Sequence, residues 1–141
     1  GVHPKLVETV KKAIKYTDVD FGVIFGVRDL ATQERLYKSG KSQTMKSKHL
    51  IQDDGYAHAV DLMAYDSGEP SWDIVDYDNI ADAMRKAAQE VGIELIWGAA
   101  WHKLLTVSPD TAENLMNEYI DLRRSEGRRP FIDGPHFQLA T

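Results

Sequence analysis

The chain contains no cysteine, which excludes disulfide bonds, thiolate metal sites and a cysteine nucleophile. Any bound metal must therefore use histidine and carboxylate ligands. No apolar run approaches the roughly 18 residues that a membrane-spanning helix needs, so we expect no membrane span. An excess of basic residues is also missing, because 17 Lys and Arg stand against 22 Asp and Glu for a net charge of −5. This balance argues against a nucleic-acid partner, since sequence-independent binding needs a basic face.

The composition is that of an ordinary globular domain. Hydrophobic residues make up 43% and charged residues 28% of the 141 positions, which is enough to close one core without covalent cross-links. We therefore expect residues 1–141 to form a single domain, and we expect a monomer. The first residues contain no apolar signal-peptide segment, which predicts a protein that is made without an export signal.

Helical and strand patterns alternate along the chain. Apolar spacing predicts helices over residues 4–16, from Asp29 to Gly40, from about Asn79 to Val91, and from Ser108-Pro109 to Gly127. Alternating or β-branched runs predict strands over residues 21–28, 59–65, 93–97 and 136–140, and the polar residues 41–57 indicate a long loop. The first of these strands carries Val23, Phe25 and Val27 on one side and has the composition of a buried strand. The connections are too long and irregular for a doubly wound sheet. We therefore predict an α+β fold with a small, mostly antiparallel sheet flanked by helices.

The side chains that could hold a metal are scattered along the sequence. None of the five histidines begins a His-Glu-x-x-His helix motif. In the strand over residues 59–65, however, the side-chain alternation places Asp61 on the face opposite the apolar one. The same alternation in the last strand puts His136 and Gln138 on that face, because Phe137 and Leu139 are expected to face the core.

Adding His49 from the long loop gives two imidazoles and one carboxylate. This is a three-ligand zinc site whose fourth position is left for water, the arrangement of catalytic rather than structural zinc. Hydrolysis also needs a base to take a proton from the attacking water. Asp133, three residues before His136, is the best-placed carboxylate for that role.

These residues belong to three ordered motifs. They are Ser47-Lys48-His49 followed by Ala59-Val60-Asp61, then Asp133-Gly134-Pro135-His136, and Gly26-Val27-Arg28 with Gln33. They resemble the patterns Ser-x-His-x-x-Gly-x-Ala-x-Asp, Asp/Glu-x-x-His and Gly-x-Arg with Gln of a zinc peptidase family with a Hedgehog-like fold. That family includes D-alanyl-D-alanine carboxypeptidases and dipeptidases, with a VanY-like branch, and the L-alanyl-D-glutamate endopeptidases used as phage endolysins. Trp97-Gly98 and the initial Gly-Val-His-Pro resemble the endolysin branch.

The resemblance implies zinc on His49, Asp61 and His136. It also implies Asp133 as the general base and Arg28 as a residue that binds substrate or stabilises the developing oxyanion, although Arg28 could instead form a structural salt bridge. The family usually separates its first histidine from the aspartate by six residues, and here the interval is eleven. His58 is therefore the alternative first ligand. We prefer His49 because its motif is retained.

The implied activity is a zinc metallopeptidase that cleaves the peptidoglycan stem peptide at the L-alanyl-D-glutamate bond. As a phage-type endolysin, it would be made in the host cytoplasm and would act on the bacterial wall after release. A D-alanyl-D-alanine carboxypeptidase or dipeptidase uses the same metal ligands and is the first alternative. A catalytically silent, zinc-stabilised wall-binding module is the second. A serine hydrolase is disfavoured because the chain has no Gly-x-Ser-x-Gly motif.

Overall fold

A computed structural model describes residues 1–42, 44–107 and 109–140. Within these ranges the chain forms helices and strands that alternate in sequence and bring the predicted site residues to one sheet. The helices are α1 (Pro4–Tyr16), α2 (Leu30–Lys38), α3 (Ile74–Val91) and α4 (Ala112–Ser125). The strands are β1 (Asp20–Phe25), β2 (Ala59–Asp66), β3 (Glu69–Ser71), β4 (Leu95–Trp97) and β5 (His136–Leu139).

The strand β2 lies at the centre of the sheet. The strand order is β1-β2-β5-β4, β3 also pairs with β2, and each of these pairings is antiparallel. On the inner face of β2, Val60, Leu62 and Ala64 are buried, as the alternation predicts. The predicted α+β class and mostly antiparallel sheet are therefore confirmed.

The helix boundaries follow local capping chemistry. Helix α1 has its predicted bounds, and Asp29 caps α2 by accepting a hydrogen bond from the Thr32 backbone N–H at 2.7 Å. Helix α3 begins at Ile74, well before the predicted start near Asn79. Asp73 is the reason, because its side chain accepts a hydrogen bond from the Val75 N–H at 3.0 Å and starts the helix one turn earlier.

Helix α4 also differs from its predicted start. Ser108 lies outside the described residues, and the helix is capped by Thr111, whose hydroxyl accepts a hydrogen bond from the Asn114 N–H at 3.2 Å. The last helical residue is Ser125, and Gly127 follows in the left-handed conformation with φ of 69°. The helix therefore ends just before the predicted end at Gly127.

The prediction for β1 was wrong in two respects. The strand ends at Phe25 rather than Arg28, and the predicted apolar side is exposed, with Val23 and Phe25 showing 54% and 56% of their surface to solvent. The predicted alternation is broken because a β-bulge between Val23 and Phe25 leaves Val23 opposite Leu62 and Phe25 opposite Asp61, two residues that face opposite sides of the sheet. Strand β4 is shorter than predicted, and β3 was missed because its Glu-Pro-Ser sequence indicates a turn.

The core lies between the inner face of the sheet and the helices. Helix α3 contributes its buried stripe, which packs against α1, α4, β2 and β4. The largest fully buried side chains include Trp97, Phe137, Leu62 and Ile80. Among the described residues, no helix combines the length and the apolar character that crossing a bilayer requires.

Candidate active site

Strand pairing brings two of the predicted ligands together. Asp61 on β2 lies directly opposite His136 on β5 in the antiparallel register. Both side chains project from the face opposite the core, as the strand alternation predicts. The sheet itself therefore holds a carboxylate and an imidazole side by side, although 75 residues separate them in sequence.

The third predicted ligand comes from the long loop. The His49 backbone N–H donates to the Ser47 hydroxyl at 3.1 Å, and its carbonyl accepts from the Arg28 N–H at 2.9 Å. The bond from Arg28 fastens the loop to the segment that follows β1. The His49 residue is only 2% exposed, so the loop delivers its imidazole to a fixed place.

The three side chains converge on one point. Asp61 Oδ1 lies 3.1 Å from His49 Nε2 and 3.1 Å from His136 Nδ1. One ligand atom from each residue lies within 4.8 Å of the other two, and the described residues contain no other such group of histidine and acidic side chains. Two nitrogens and one carboxylate oxygen in a buried cluster are ligands suited to a divalent metal, so the residues present fit a metal ion.

In each imidazole, the outer nitrogen, which is the one that does not face Asp61, is also hydrogen-bonded. His49 Nδ1 lies 2.8 Å from the Gly26 carbonyl oxygen, and His136 Nε2 lies 2.9 Å from Gln138 Oε1. Both partners are acceptors, so each outer nitrogen donates. Metal-ligating histidines usually make a bond of this kind with the nitrogen that does not face the ion.

The electrostatics follow from placing a carboxylate between two imidazoles. Burial alone would raise the pKa of Asp61, but the hydrogen bonds and charges of His136 and His49 outweigh it and hold the pKa well below its usual range. Burial alone would lower the pKa of His136, but the hydrogen bond and charge of Asp61 leave it raised. The cluster therefore keeps Asp61 ionised.

Asp133 lies at the start of the turn that leads into β5. Its backbone N–H donates to the Gly98 carbonyl at 2.8 Å, and its own carbonyl accepts from the His136 N–H at 3.0 Å. Burial and the charge of Asp61 raise the pKa of Asp133, and the nearby positive groups offset this only in part. A carboxylate with a raised pKa beside a ligand cluster is suited to accept a proton.

Gly98 allows this turn to pack closely. A Cβ atom on Gly98 would lie 2.2 Å from the Asp133 carbonyl oxygen and 2.9 Å from the His136 Cβ. Its backbone N–H also donates to the His136 carbonyl at 2.8 Å. Only glycine fits at this approach, which fixes Asp133 and His136 relative to each other.

Arg28 is held by both the cluster and the neighbouring helix. One guanidinium nitrogen donates to Gln33 Oε1 at 2.8 Å, and another lies 3.9 Å from Asp61 Oδ2. Gln33 is fully buried, and its amide nitrogen donates to the Ser42 hydroxyl at 2.8 Å and to the Thr44 carbonyl. Gln33 thus links Arg28 to the loop that forms one wall of the site.

All five predicted residues line one cleft of about 590 Å³. Five apolar or aromatic side chains line the cleft: Phe25, Val27, Leu36, Trp101 and Phe131. Three lysines from the loop line it as well: Lys41, Lys46 and Lys48. The cleft therefore combines an acidic centre with a cationic wall, within a chain whose net charge is negative.

His58, the alternative ligand, lies away from the cluster. Its Nε2 is 2.7 Å from Asp54 Oδ2, and its ring lies near His3, with centroids 5.6 Å apart.

Reasoning from the sequence did not assign a role to Gln138 or Gly98. The signal for Gln138 was present, because its spacing from His136 puts both side chains on one face of β5.

A buried His-Asp-His group that opens on a cleft is consistent with the class of metal-dependent peptidases. The sequence model of the family "Phage L-alanyl-D-glutamate peptidase" matches residues 1–140. The chain belongs to this family, and it is an endolysin-type peptidase that cleaves the peptidoglycan stem peptide.

Two similar proteins agree with this assignment. The L-alanyl-D-glutamate peptidase of Escherichia phage T5 is 28% identical over 142 residues, which cover 98% of this chain and 88% of that protein. The crystal structure of the L-Ala D-Glu endopeptidase ChiX from Serratia marcescens is similar with a TM-score of 0.72 and 36% identity. The match covers 99% of this chain and 81% of ChiX.

Proposed function

We propose that this peptidase is zinc-dependent, with the ion held by His49, Asp61 and His136. The observation that carries the proposal is the convergence of their three ligand atoms within 4.8 Å beside the cleft. The Irving–Williams order allows several divalent metals at such a site, but two imidazoles and one carboxylate with an open position favour zinc. When bound, zinc acts as a Lewis acid that activates water and polarises the scissile carbonyl.

In this proposal Asp133 is the general base. Its carboxylate lines the same cleft as the three ligands, and its backbone is fixed by Gly98. Its raised pKa makes it a better proton acceptor than an exposed aspartate. Asp133 takes the proton of the attacking water and passes it to the nitrogen of the leaving D-glutamate residue.

Arg28 stabilises negative charge in the cleft. Its guanidinium group is held by Gln33 and lies beside Asp61. A fixed cation at this place stabilises the oxyanion that develops on the scissile carbonyl, or a carboxylate of the stem peptide. The salt bridge that Arg28 makes with Asp61 does not conflict with this role, because the guanidinium group has five N–H donors.

The test is a digestion of Gram-negative peptidoglycan with zinc-loaded enzyme, with chelator, and with chelator followed by zinc. Mass spectrometry of the fragments reads the new termini. We expect new D-glutamate N-termini that disappear on chelation and return with zinc. Release of D-alanine would instead indicate a carboxypeptidase, and a zinc-loaded protein that cleaves nothing would indicate a binding module.

Two histidine variants make the ligand assignment specific. We expect His49→Ala to lose zinc stoichiometry and activity together, because it removes one of three ligands. His58→Ala is the matched control, since His58 is bonded to Asp54 rather than to the cluster. If His58→Ala lost zinc and His49→Ala retained it, the proposed ligand set would be wrong.

We further propose that the enzyme acts as a monomer, from the host cytoplasm onto the bacterial wall after release at lysis. One cleft in one chain supplies all of the proposed catalytic groups. A sizing experiment on the zinc-loaded protein tests the monomer. A dimer whose dissociation abolished activity would contradict it.

A further inference from the structure

We propose that the turn after α4 is a second binding surface for the peptidoglycan polymer, which contacts carboxylates of a neighbouring stem peptide while the cleft holds the stem peptide that is cleaved. This turn spans residues 123–129, and we call it the arginine turn because it carries Arg123, Arg124, Arg128 and Arg129. The inference rests on the peptidoglycan substrate of the enzyme and not on the identity of its metal.

The arginine turn is basic within an acidic protein. Its four arginines stand against one acidic residue, Glu126, for a net charge of +3, whereas the whole chain carries −5. Glu126 lies 3.7 Å from the Arg128 guanidinium group. Arg124 and Arg129 are exposed, and neither forms an ion pair with any of the described residues. The surface is therefore complementary in charge to an anionic polymer.

Hydrogen bonds give the arginine turn one defined shape. The Arg123 guanidinium group donates to the Arg129 carbonyl at 3.1 and 3.3 Å, and the Arg128 N–H donates to the Arg123 carbonyl at 2.8 Å. Gly127 adopts the left-handed conformation that this reversal of the chain requires. The arginines are therefore presented on a fixed backbone, which reduces the entropy lost when a partner binds.

A series of contacts joins the arginine turn to the cleft. The Arg123 guanidinium carbon lies 5.7 Å from the centroid of the Tyr119 ring, and the Tyr119 hydroxyl accepts a hydrogen bond from the Phe131 N–H at 3.2 Å. The Phe131 carbonyl accepts from Trp101 Nε1 at 3.1 Å. Both Phe131 and Trp101 line the cleft, and Phe131 follows Arg129 by two residues, which span at most about 7 Å. A polymer that enters the cleft therefore passes close to the arginine turn.

The intact wall differs from a soluble fragment in the number of stem peptides that it offers. Once one stem peptide is in the cleft, binding of a neighbouring stem peptide to the arginine turn is intramolecular, so a weak contact is enough to raise the overall affinity. Exposed ion pairs are weak contacts of this kind. We therefore expect the arginine turn to increase affinity for the intact wall and not for a soluble muropeptide with one stem peptide.

Two variants of the arginine turn test the proposal. The glutamine variant carries Arg124→Gln, Arg128→Gln and Arg129→Gln and loses three positive charges. The lysine variant carries Arg124→Lys, Arg128→Lys and Arg129→Lys and retains them. Arg123 is left unchanged in both, because its bonds to the Arg129 carbonyl hold the turn.

A third variant, which we call the α1 control, carries Lys5→Gln, Lys11→Gln and Lys15→Gln. These lysines are exposed on α1, whose residues do not line the cleft. The α1 control and the glutamine variant lose the same amount of charge. A difference between them therefore reports where the charge lies on the protein.

The first readout is binding of each protein to purified Gram-negative sacculi, measured by sedimentation on ice before fragments are released. Three exposed ion pairs allow a loss of affinity of roughly 3- to 30-fold. We expect this loss for the glutamine variant, and wild-type affinity for the lysine variant and the α1 control. Added salt should weaken binding of the wild type more than binding of the glutamine variant. Equal binding by the wild type and the glutamine variant would overturn the proposal, and so would an equal loss in the α1 control.

Two further binding partners identify the chemistry that the turn recognises. Amidation of the sacculus carboxylates with a carbodiimide and ammonia should abolish the difference between the wild type and the glutamine variant. A difference that persisted would exclude carboxylates as the ligand and overturn the proposal. Phosphatidylglycerol vesicles are the second partner. If they bound the wild type more tightly than the glutamine variant while sacculi bound both equally, the turn would be a membrane-binding surface instead.

The last readout compares cleavage of two substrates by the wild type and the glutamine variant. We expect the initial rate on dilute sacculi to fall in the glutamine variant by the same factor as its affinity, and kcat/KM on a soluble muropeptide to stay at the wild-type value. An equal loss on both substrates would mean that the arginine turn contacts the stem peptide in the cleft, and would overturn a second surface. If cleavage proved independent of zinc, the proposed function would fail, and the sedimentation result would still decide the role of the arginine turn.

Discussion

Asp61 and His136 face each other across the β2–β5 ladder, and Asp61 Oδ1 lies 3.1 Å from His136 Nδ1. The same oxygen lies 3.1 Å from His49 Nε2. A single carboxylate oxygen thus organises both imidazoles, and the fold supplies it from the central strand of the sheet. The charge of Asp61 should therefore matter more for metal binding than its shape.

Asp61→Asn tests this directly, because asparagine keeps the size of the side chain and removes its charge. A ligand that binds only the native state at 100 times its Kd stabilises it by about 2.7 kcal/mol. We expect zinc to raise the Tm of the wild type accordingly and to leave the Tm of Asp61→Asn nearly unchanged. Calorimetry with and without zinc measures both. An equal zinc-induced increase in the two proteins would exclude Asp61 as a ligand.

Asp133→Asn should separate binding from catalysis. Asparagine cannot accept the proton, so we expect kcat to fall on the order of 10²- to 10⁴-fold, the usual contribution of a general base. The zinc dissociation constant should change little, since Asp133 is not one of the three ligands. Steady-state kinetics on a soluble muropeptide and a chelator competition give the two numbers. Full activity in Asp133→Asn would remove Asp133 from the mechanism.

Gly98→Ala should distort the active site, although Gly98 is neither a proposed ligand nor a proposed catalytic residue. The added methyl group would meet the Asp133 carbonyl and the His136 Cβ at 2.2 and 2.9 Å, so the turn before β5 must shift. Overpacking of this kind costs about 1–3 kcal/mol of stability, and we expect kcat to fall as well. Denaturant unfolding and kinetics measure both effects. Gly22→Ala is the control, because its methyl group meets only Tyr65 at 3.5 Å.

The part of the site that lies on strands could be predicted from the sequence. Strand alternation alone placed Asp61, His136 and Gln138 on one face, because side chains alternate sides whatever their neighbours are. The same reasoning was wrong for Val23 and Phe25. Their spacing predicts one shared, buried face, but a β-bulge between them breaks the alternation, and neither the bulge nor the position of β1 at the edge of the sheet follows from the residue period.

The loop part of the site could not be predicted from local chemistry. His49 reaches the cluster because its backbone bonds to Arg28 and Ser47 and its ring bonds to Gly26. The bonds to Arg28 and Gly26 join segments that are distant in sequence, and no helical or strand period describes them. Only the resemblance of the Ser47-Lys48-His49 motif indicated the ligand. The close approach of Gly98 to the Asp133 carbonyl could not be predicted either, because it also joins segments that are distant in sequence.

The cationic wall of the cleft should determine substrate affinity. Lys41 and Lys46 line the cleft and are exposed, and no acidic residue occurs between positions 41 and 52. A stem peptide carries free carboxylates, so we expect the double change Lys41→Gln and Lys46→Gln to raise KM by roughly three- to tenfold, as exposed charge pairs allow. The kcat value should change less than the KM value, because neither lysine is one of the proposed metal ligands or of the residues proposed to act on the scissile bond.

Salt dependence checks the electrostatic origin of this effect. Added salt screens exposed charges, so the wild-type KM should rise with ionic strength more steeply than that of the double variant. The double change Lys11→Gln and Lys15→Gln is the control, since it removes the same charge from α1, whose residues do not line the cleft. If both double variants changed KM equally, net charge rather than the wall would be responsible.

Asp78 on α3 should make stability depend on pH. This carboxyl group is 7% exposed, and its Oδ1 has no hydrogen-bond partner among the described residues. Burial, helped by the charges of Glu113, Asp82 and Asp73, raises its pKa to about 6. Since the pKa is higher in the folded state, the native protein is favoured when Asp78 is protonated. That contribution is complete below about pH 4 and is lost as the pH rises through about 6.

Asp78→Asn removes this ionisation. We expect the variant to be more stable than the wild type by about 1–3 kcal/mol at neutral pH, and the difference to disappear near pH 4. Denaturant unfolding of both metal-free proteins across this range measures the difference and keeps zinc binding out of the comparison. The exposed Asp121 on α4, changed to asparagine, is the control and should show no such trend. A stability difference between wild type and Asp78→Asn that stays constant from pH 4 to pH 7 would show that Asp78 does not ionise in this range.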